Sequence, residues 1–362
     1  MEVQNLQVKR NVSAQTAVVG TDQQGKSTKE KASRTGYVHA TDREGKSLSF
    51  KATLKALDLL DDAHVTGSQV AEYLQSLGLE NVGTARVHGE KGFTDFLQVT
   101  VPGTQGKLAG GKAPTLGIIG RLGGIGARPE VIGIVSDGDG AVAAVACAIK
   151  LAAMTKRGDT LQGDVIISTH ICPHAPTQPH DPVPFMGSPV DMRTMNKYEV
   201  SDDMDAILSI DTTKGNRVIN HKGFAISPTV KEGYILRVSE DLLDIMSITT
   251  GKLPVVFPIT TQDITPYGNG IYHLNSILQP CTVTKAPVVG VAITTETAVP
   301  GCATGASHVV DIEQAVRFCI EVAKQFGAGK CKFYDEAEFQ RLVELYGPMT
   351  VLQTHGLAGD NQ

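Results

Sequence analysis

The stretch GIVSDGDGAVAAVACAIKL, residues 133–151, decides the fold. Its β-branched start predicts the end of a buried strand, and the run from Ala141 is apolar on nearly every side, as in a helix that is covered on both sides. Asp137 and Asp139 lie among glycines at the junction of these two elements. A carboxylate in such a place is costly unless it is paired, hydrogen-bonded or bound to a metal. The stretch therefore marks this strand–helix junction as a candidate site.

On both sides of this junction, apolar strand patterns alternate with amphipathic helical patterns. Helices are predicted at 50–60, 68–79 after a cap at Thr66, 141–154, 311–326 and 335–346, and strands at 81–90, 95–103, 114–120, 163–170, 204–211, 233–238 and 286–293. This alternation predicts an α/β three-layer sandwich with a mostly parallel central sheet. In such sheets, ligands bind beyond the carboxyl ends of the strands.

Composition divides the chain into three parts. Residues 1–48 are polar and repeat TDQQGKS as TDREGKS, so we interpret them as a disordered or loosely packed extension. Residues 49–349 are expected to form one α/β domain, and residues 350–362 a flexible tail. The stretch GTDQQGKS (20–27) satisfies the phosphate-loop pattern, but no apolar helix face follows it, and we interpret it as a solvated turn.

Charge and cysteine usage limit the partners that are expected. A net charge of −5 argues against a nucleic-acid surface. The sequence contains no apolar run of about 18 residues, so we expect no membrane span. The sequence has no secretory signal pattern, and its six cysteines form no CxxC pair, which is typical of cytoplasmic thiols. We therefore expect a cytoplasmic protein that binds a small molecule or short peptide, with a homo-oligomer left open.

Several predicted strands end in side chains that suit a reaction site. These residues are Arg121, Asp137, His170, His174 and Asp211, with His308 before a later helix. Carboxylates and imidazoles at one sheet edge are typical of a zinc-type hydrolytic site. Each also has a structural alternative: Asp137 and His308 as helix caps, and Asp211 as a turn-forming residue.

The order of these residues resembles the α/β metallo-exopeptidase and deacylase superfamily, which includes co-catalytic zinc aminopeptidases and aminoacylase-like amidohydrolases. There, a bridging Asp is followed four residues later by Gly-Val-Ala at a helix start, an Asp ends a later strand, and a late His precedes a helix. Asp137 with AVA at 141–143 matches the bridging position. Asp211 in LSIDTT and His308 in SHVVDIEQAV match the two later ligands. The resemblance covers about residues 114–326 and implies a zinc-exopeptidase-like fold.

The superfamily has two metal positions, of which this chain replaces one and retains the other. Arg121 in GRLGGIG stands where the first His ligand belongs, which implies that its guanidinium replaces one metal by neutralising Asp137 and Asp211. The second position is retained as Asp137, His174 and His308, a set that suits one zinc or another divalent metal. A metal-free site is the open alternative.

The water-activating Glu of the superfamily is replaced by Pro173, so another residue must serve as general base. His170, His180 and Asp181 are the nearby candidates, and an imidazole can act as a base near neutral pH. Arg121 or Arg128 is expected to hold a substrate carboxylate. The polar loop 260–273 adds the candidate substrate contacts Asp263, Tyr267, Asn269 and His273.

Together these residues predict a metal-dependent hydrolase of an amide bond, linear or cyclic, in a small peptide-like or modified amino-acid substrate. The alternative is a catalytically altered, metal-free relative that binds a small ligand. Long stretches such as THICPHAPTQPH (169–180) and FPITTQDITPYGNGIYHLNSI (257–277) are also similar to a bacterial family catalogued only as a domain of unknown function. That resemblance covers most of residues 49–349 and implies no activity.

Overall fold

A computed structural model of the chain describes residues 48–121, 136–173, 175–178, 185–213, 215–259, 276–297 and 307–353. The described strands are β1 (Asn81–Gly89), β2 (Gly92–Val101), β3 (Leu116–Gly120), β4 (Val165–Ile171), β5 (Thr177–Gln178), β6 (Phe185–Met186), β7 (Ala206–Thr213), β8 (Gly223–Ile226), β9 (Val230–Lys231), β10 (Tyr234–Ile235) and β11 (Val288–Thr294). The described α-helices are α1 (Leu48–Leu60), α2 (Gly67–Ser76), α3 (Asp139–Thr155), α4 (Met192–Glu199), α5 (Glu240–Thr250), α6 (Val309–Gly327) and α7 (Glu336–Tyr346).

Nine of the described strands build one large mixed sheet in the order β1-β2-β4-β3-β7-β11-β9-β10, with β8 also paired to β11, and β5 and β6 form a separate two-stranded sheet. The four central strands β4, β3, β7 and β11 run parallel, and every residue in them is buried. Both flanks are antiparallel: β1 and β2 form a hairpin with a two-residue turn, and β8 and β9 pair with β11. The prediction of a mostly parallel sheet is therefore confirmed for its centre, while the sheet as a whole is mixed.

Helices α3 and α6 pack on one face of the sheet, α1 packs against both of them, and all three contribute to the larger hydrophobic core. Helix α3 lies in the middle of this layer, and 15 of its 17 residues are buried, as its uniformly apolar sequence predicts. The opposite face carries a smaller core around Ile119, Ile207 and Phe257. Helix α4 and the 3₁₀ segment Ser276–Thr282 cover that face beside the central strands.

Local sequence signals explain where the helices begin. Thr66 caps α2 in a capping box, because its hydroxyl accepts from the Gln69 backbone N–H while the Gln69 side chain accepts from the Thr66 N–H at 2.8 Å. Ser239 and Asp335 cap α5 and α7 with side-chain oxygens that accept backbone hydrogen bonds. The predicted cap at Thr66 is thus confirmed.

Most of the predicted elements are confirmed within one to three residues at their ends. One strand was overestimated: of the predicted stretch 233–238, only Tyr234–Ile235 forms a strand. Helices α4 and α5 and the strands β5, β6, β8 and β9 were not predicted. None of the helices in the described ranges is both long enough and apolar enough to span a membrane.

Candidate functional site

The beginning of α3 lies against the carboxyl ends of β3 and β7. A Cβ atom added at Gly140 would stand 2.5 Å from the Arg121 carbonyl oxygen and 2.7 Å from the Ile210 carbonyl oxygen. Glycine is therefore required for this close approach, which brings Asp137 and Asp139 to the edge of the sheet. Ligands of open α/β sheets bind at this edge.

The two aspartates have different surroundings. Asp139 is fully buried, and its Oδ1 accepts a hydrogen bond from Ser307 Oγ at 2.5 Å. Asp137 is half-buried in the 3₁₀ turn that precedes α3, whose N-cap position is Gly138 rather than Asp137. The bond from Ser307 also brings His308 to the same edge. His308 is exposed at the N-cap position of α6, and its side chain makes no capping hydrogen bond to the described turns of that helix.

Arg121, His170 and Asp211 lie side by side on three neighbouring strands. Strand β3 pairs with β4 and β7 as far as Gly120, and these three residues come one position later on each strand. Their side chains share the face covered by α4 and the segment Ser276–Thr282, and all three are buried. The structure therefore brings two predicted catalytic residues and one predicted metal ligand into one row.

The guanidinium of Arg121 pairs with Glu199, at the end of α4. Its Nη1 donates to Glu199 Oε2 and, at 3.3 Å, to Asn196 Oδ1, and its Nη2 contacts the sulfur of Met192. The expectation that Arg121 neutralises Asp137 and Asp211 is wrong. Its side chain extends from the sheet face toward α4, where a buried carboxylate already compensates the charge.

The other oxygen of Glu199 contacts His170. Glu199 Oε1 lies 2.5 Å from His170 Nδ1, so one carboxylate bridges the Arg121 guanidinium and the imidazole. Complete burial would raise the pKa of the Glu199 carboxyl, but the nearby positive charge of Arg121 and the hydrogen bonds from both partners outweigh it and lower that pKa. Glu199 is therefore ionised at neutral pH.

Aromatic rings confine the imidazole of His170 on its other side. The Phe96 ring lies 5.6 Å from the His170 ring, and Tyr198 stacks on Phe96 at 4.6 Å. Tyr198 precedes Glu199 in α4, so the same helix supplies both the carboxylate and the packing. His170 is held in one orientation by these contacts.

Asp211 is buried at the end of the same row. Its Oδ1 accepts from the Thr212 backbone N–H at 2.7 Å, and its Oδ2 accepts from Ser276 Oγ at 3.2 Å. The first bond agrees with the structural alternative, in which Asp211 holds the local backbone. The second ties β7 to the 3₁₀ segment that covers this face.

Further buried polar atoms lie next to this row on the same face of the sheet. Among the residues that the structure describes, Arg121 Nε and the hydroxyls of Ser168 and Ser209 are buried without a hydrogen-bond partner, as is Gln279 Oε1 in the covering segment. Ser168 and Ser209 flank Ile119 on the two strands beside β3. Unsatisfied buried polar groups are rare in folded proteins, and each is explained by strain, by a bound water or ion, or by a role in chemistry.

Glu199 is the residue of this site that the sequence analysis missed. Met192, Met195, Asn196 and Glu199 have the spacing of one helical face, and α4 buries the last three of them. An acidic residue on the buried face of a short helix was the available signal. It was weak because the helix MRTMNKYE is only eight residues long and mostly polar.

The remaining predicted site residues lie outside the described part of the chain. They are His174, His180, Arg128, Asp263, Tyr267, Asn269 and His273. Within the described ranges, no group of three or more His, Cys, Asp or Glu side chains is arranged to hold a metal ion. The predicted ligand set Asp137, His174 and His308 includes one residue beyond those ranges, so it stays a prediction.

Fold and site together define an α/β protein that gathers charged side chains at the carboxyl ends of parallel strands. A family-wide sequence profile matches residues 85–356, and the chain belongs to that family, which is described as "Protein of unknown function (DUF1177)". The predicted resemblance to a family of unknown function is confirmed. The matched range includes Arg121, His170, Glu199 and Asp211. No curated protein matches the chain.

Proposed function

We propose that this protein hydrolyses an amide bond, linear or cyclic, in a small peptide-like or modified amino-acid substrate. The observation that carries the proposal is the row of Arg121, His170 and Asp211 at the carboxyl ends of three adjacent strands, with the imidazole paired to a buried carboxylate. A carboxylate-paired imidazole is suited to general acid–base work on a hydrolytic water. The proposal includes a relationship of this chain to the zinc exopeptidases.

His170 takes the role of general base in this scheme. It removes a proton from the attacking water and returns it to the leaving nitrogen, so the imidazole ends the cycle unchanged. The superfamily that the sequence resembles uses a Glu at this step, and Pro173 occupies that position here. A base delivered from the end of β4 compensates for that replacement.

The donor types available for a metal fit zinc. Asp137 offers a carboxylate and His308 an exposed imidazole, and their segments are joined through the hydrogen bond between Asp139 and Ser307. His174 is proposed as the third ligand, which gives the two nitrogens and one oxygen that catalytic zinc sites use. A bound divalent ion would polarise the substrate carbonyl and lower the pKa of its water.

One observation favours a second candidate, a metal-free relative that binds a small ligand without turnover. Arg121 stands where the superfamily places its first metal ligand, and its charge is already balanced by Glu199. A guanidinium has no acceptor atom, so a cation at that position receives no ligand from Arg121.

Metal binding separates the two candidates. Zinc is titrated by calorimetry into chelator-treated wild-type protein and into Asp137→Asn, His308→Ala and His88→Ala, the last being a control imidazole on the exposed hairpin strand β1. The hydrolase proposal expects one zinc per chain, lost in the first two variants and kept in His88→Ala. Absence of zinc binding in the wild type, or equal binding in all four proteins, contradicts the metal-dependent proposal.

A further inference from the structure

The contact between Glu199 and His170 decides which ring nitrogen can react. Glu199 is ionised and buried, and a carboxylate only accepts hydrogen bonds. Because Glu199 Oε1 lies 2.5 Å from His170 Nδ1, that nitrogen must carry a proton. In the neutral imidazole the lone pair is then on Nε2.

Arg121 fixes the orientation of the Glu199 carboxylate. A guanidinium has donors only, so it occupies the second carboxylate oxygen and leaves one oxygen for the histidine. Asn196 holds the same guanidinium nitrogen, and its own amide group donates to the Gln279 carbonyl oxygen at 3.3 Å. The carboxylate is thereby fixed between two donors and cannot turn away from His170.

We infer that Glu199 is the positioning residue of a Glu199–His170 dyad, which holds the imidazole in the Nδ1–H tautomer and presents Nε2 as the base. This inference rests on the proposed function for the role of Nε2 in turnover. The tautomer itself is a property of the protein without substrate. The dyad adds to the proposed site Glu199, which the sequence analysis missed.

A purely structural ion pair would not require this geometry. Pairing Arg121 with Glu199 would satisfy both charges without the imidazole, yet the second oxygen is directed to His170 and the ring is packed against Phe96. A carboxylate that orients a histidine base in this way contributes up to about 10⁴-fold to turnover, because without it the histidine takes the wrong tautomer.

Replacement of Glu199 by glutamine should change the tautomer of His170. Glutamine keeps the shape but has one acceptor oxygen and one NH₂ donor group. Arg121 has no acceptor, so the amide oxygen must face Arg121 and the NH₂ group must face His170 Nδ1. The imidazole must then accept at Nδ1 and carry its proton on Nε2.

The test reads the ring nitrogens of His170 directly. Long-range ¹H–¹⁵N spectra of ¹⁵N-histidine-labelled full-length protein are recorded at a pH where the imidazole is neutral, and His170 is assigned by its absence in His170→Gln. We expect Nδ1–H in the wild type, Nε2–H in Glu199→Gln, and a return to Nδ1–H in Glu199→Asp. The wild-type result does not depend on a folded Glu199 variant, and an Nε2–H signal there overturns the inference.

Turnover distinguishes this inference from the proposed function. On an amide substrate, we expect Glu199→Gln to lower kcat by about 10²–10⁴-fold while KM changes little, with partial recovery in Glu199→Asp. If the wild type has the Nδ1–H tautomer but hydrolyses no amide, the proposed function fails and the dyad stands. If the wild type hydrolyses amides and Glu199→Gln retains its kcat, the dyad has no role in turnover and the inference fails.

Discussion

Glu199→Gln tests how the buried charges of the site are balanced. The variant leaves the Arg121 guanidinium, which is 1 % exposed, with neutral partners: the amide oxygens of the substituted side chain and of Asn196, and the sulfur of Met192. Removal of one partner from a buried ion pair costs about 3–5 kcal/mol, because the other charge stays buried without compensation. Against a total stability of about 5–15 kcal/mol, this is a large loss. The melting temperature should fall by roughly 6–10 °C, at about 2 °C per kcal/mol.

The chain offers a matched control in Glu313. This carboxylate is also buried and pairs with an arginine, but the side chain of Arg317 is 41 % exposed and can be hydrated when its partner is lost. We therefore expect Glu313→Gln to cost about 1–2 kcal/mol, the range for a hydrogen-bonded pair near the surface. The double variant Arg121→Met/Glu199→Gln should recover most of the loss, since it removes both buried charges.

Urea unfolding followed by circular dichroism measures these differences in the free energy of unfolding. The pH dependence of that free energy tests whether the Glu199 pKa is lowered by folding. The pKa of Glu199 is lower in the folded than in the unfolded protein. Its contribution to stability is therefore complete above the unfolded value of about 4.3 and is lost as the pH falls through the folded value. The gap between wild type and Glu199→Gln should be widest at neutral pH and close in acid. A gap below about 1 kcal/mol at pH 7, or an equal loss in Glu313→Gln, refutes the reasoning.

Three further variants or reagents probe the same edge of the sheet and the core. Ser307→Ala should destabilise the fold by about 1–3 kcal/mol in urea unfolding, because buried Asp139 loses a donor; an unchanged midpoint contradicts this. Gly140→Ala should cost about 1–3 kcal/mol or more, because the new Cβ meets the Arg121 carbonyl oxygen at 2.5 Å; wild-type stability would contradict the close approach. Iodoacetamide at pH 8 should leave Cys281 unmodified in the folded protein, because burial raises the pKa of its thiol to about 12; rapid labelling by mass spectrometry contradicts this.

The frame of the fold was predictable because its signals are local. The apolar run of α3, the cap at Thr66 and the buried strands β3, β4, β7 and β11 each follow from periodicity or capping within one segment. Strand ends at one sheet edge also follow from topology. The alignment of Arg121, His170 and Asp211 was therefore within reach of the sequence.

The partners of these side chains were not predictable, because they depend on long-range packing. Arg121 and Glu199 are 78 residues apart, and nothing near Arg121 in the sequence indicates which carboxylate it contacts. The superfamily pattern, in which a metal lies between the positions of Asp137 and Asp211, suggested these two carboxylates as the partners of Arg121 instead. Helix α4, which carries Glu199, has too few apolar residues to be recognised by periodicity.

The central claim is that this edge of the sheet is an active site for amide hydrolysis with His170 as its base. Its most direct measurement is the release of primary amine from a panel of N-acyl amino acids, dipeptides and cyclic amides, with zinc supplied, by wild type and by His170→Gln at equal folded concentration. The account predicts turnover of at least one member by the wild type and a loss of about 10²-fold or more in the variant. Equal rates in the two proteins, or no turnover by either across the panel, contradict it.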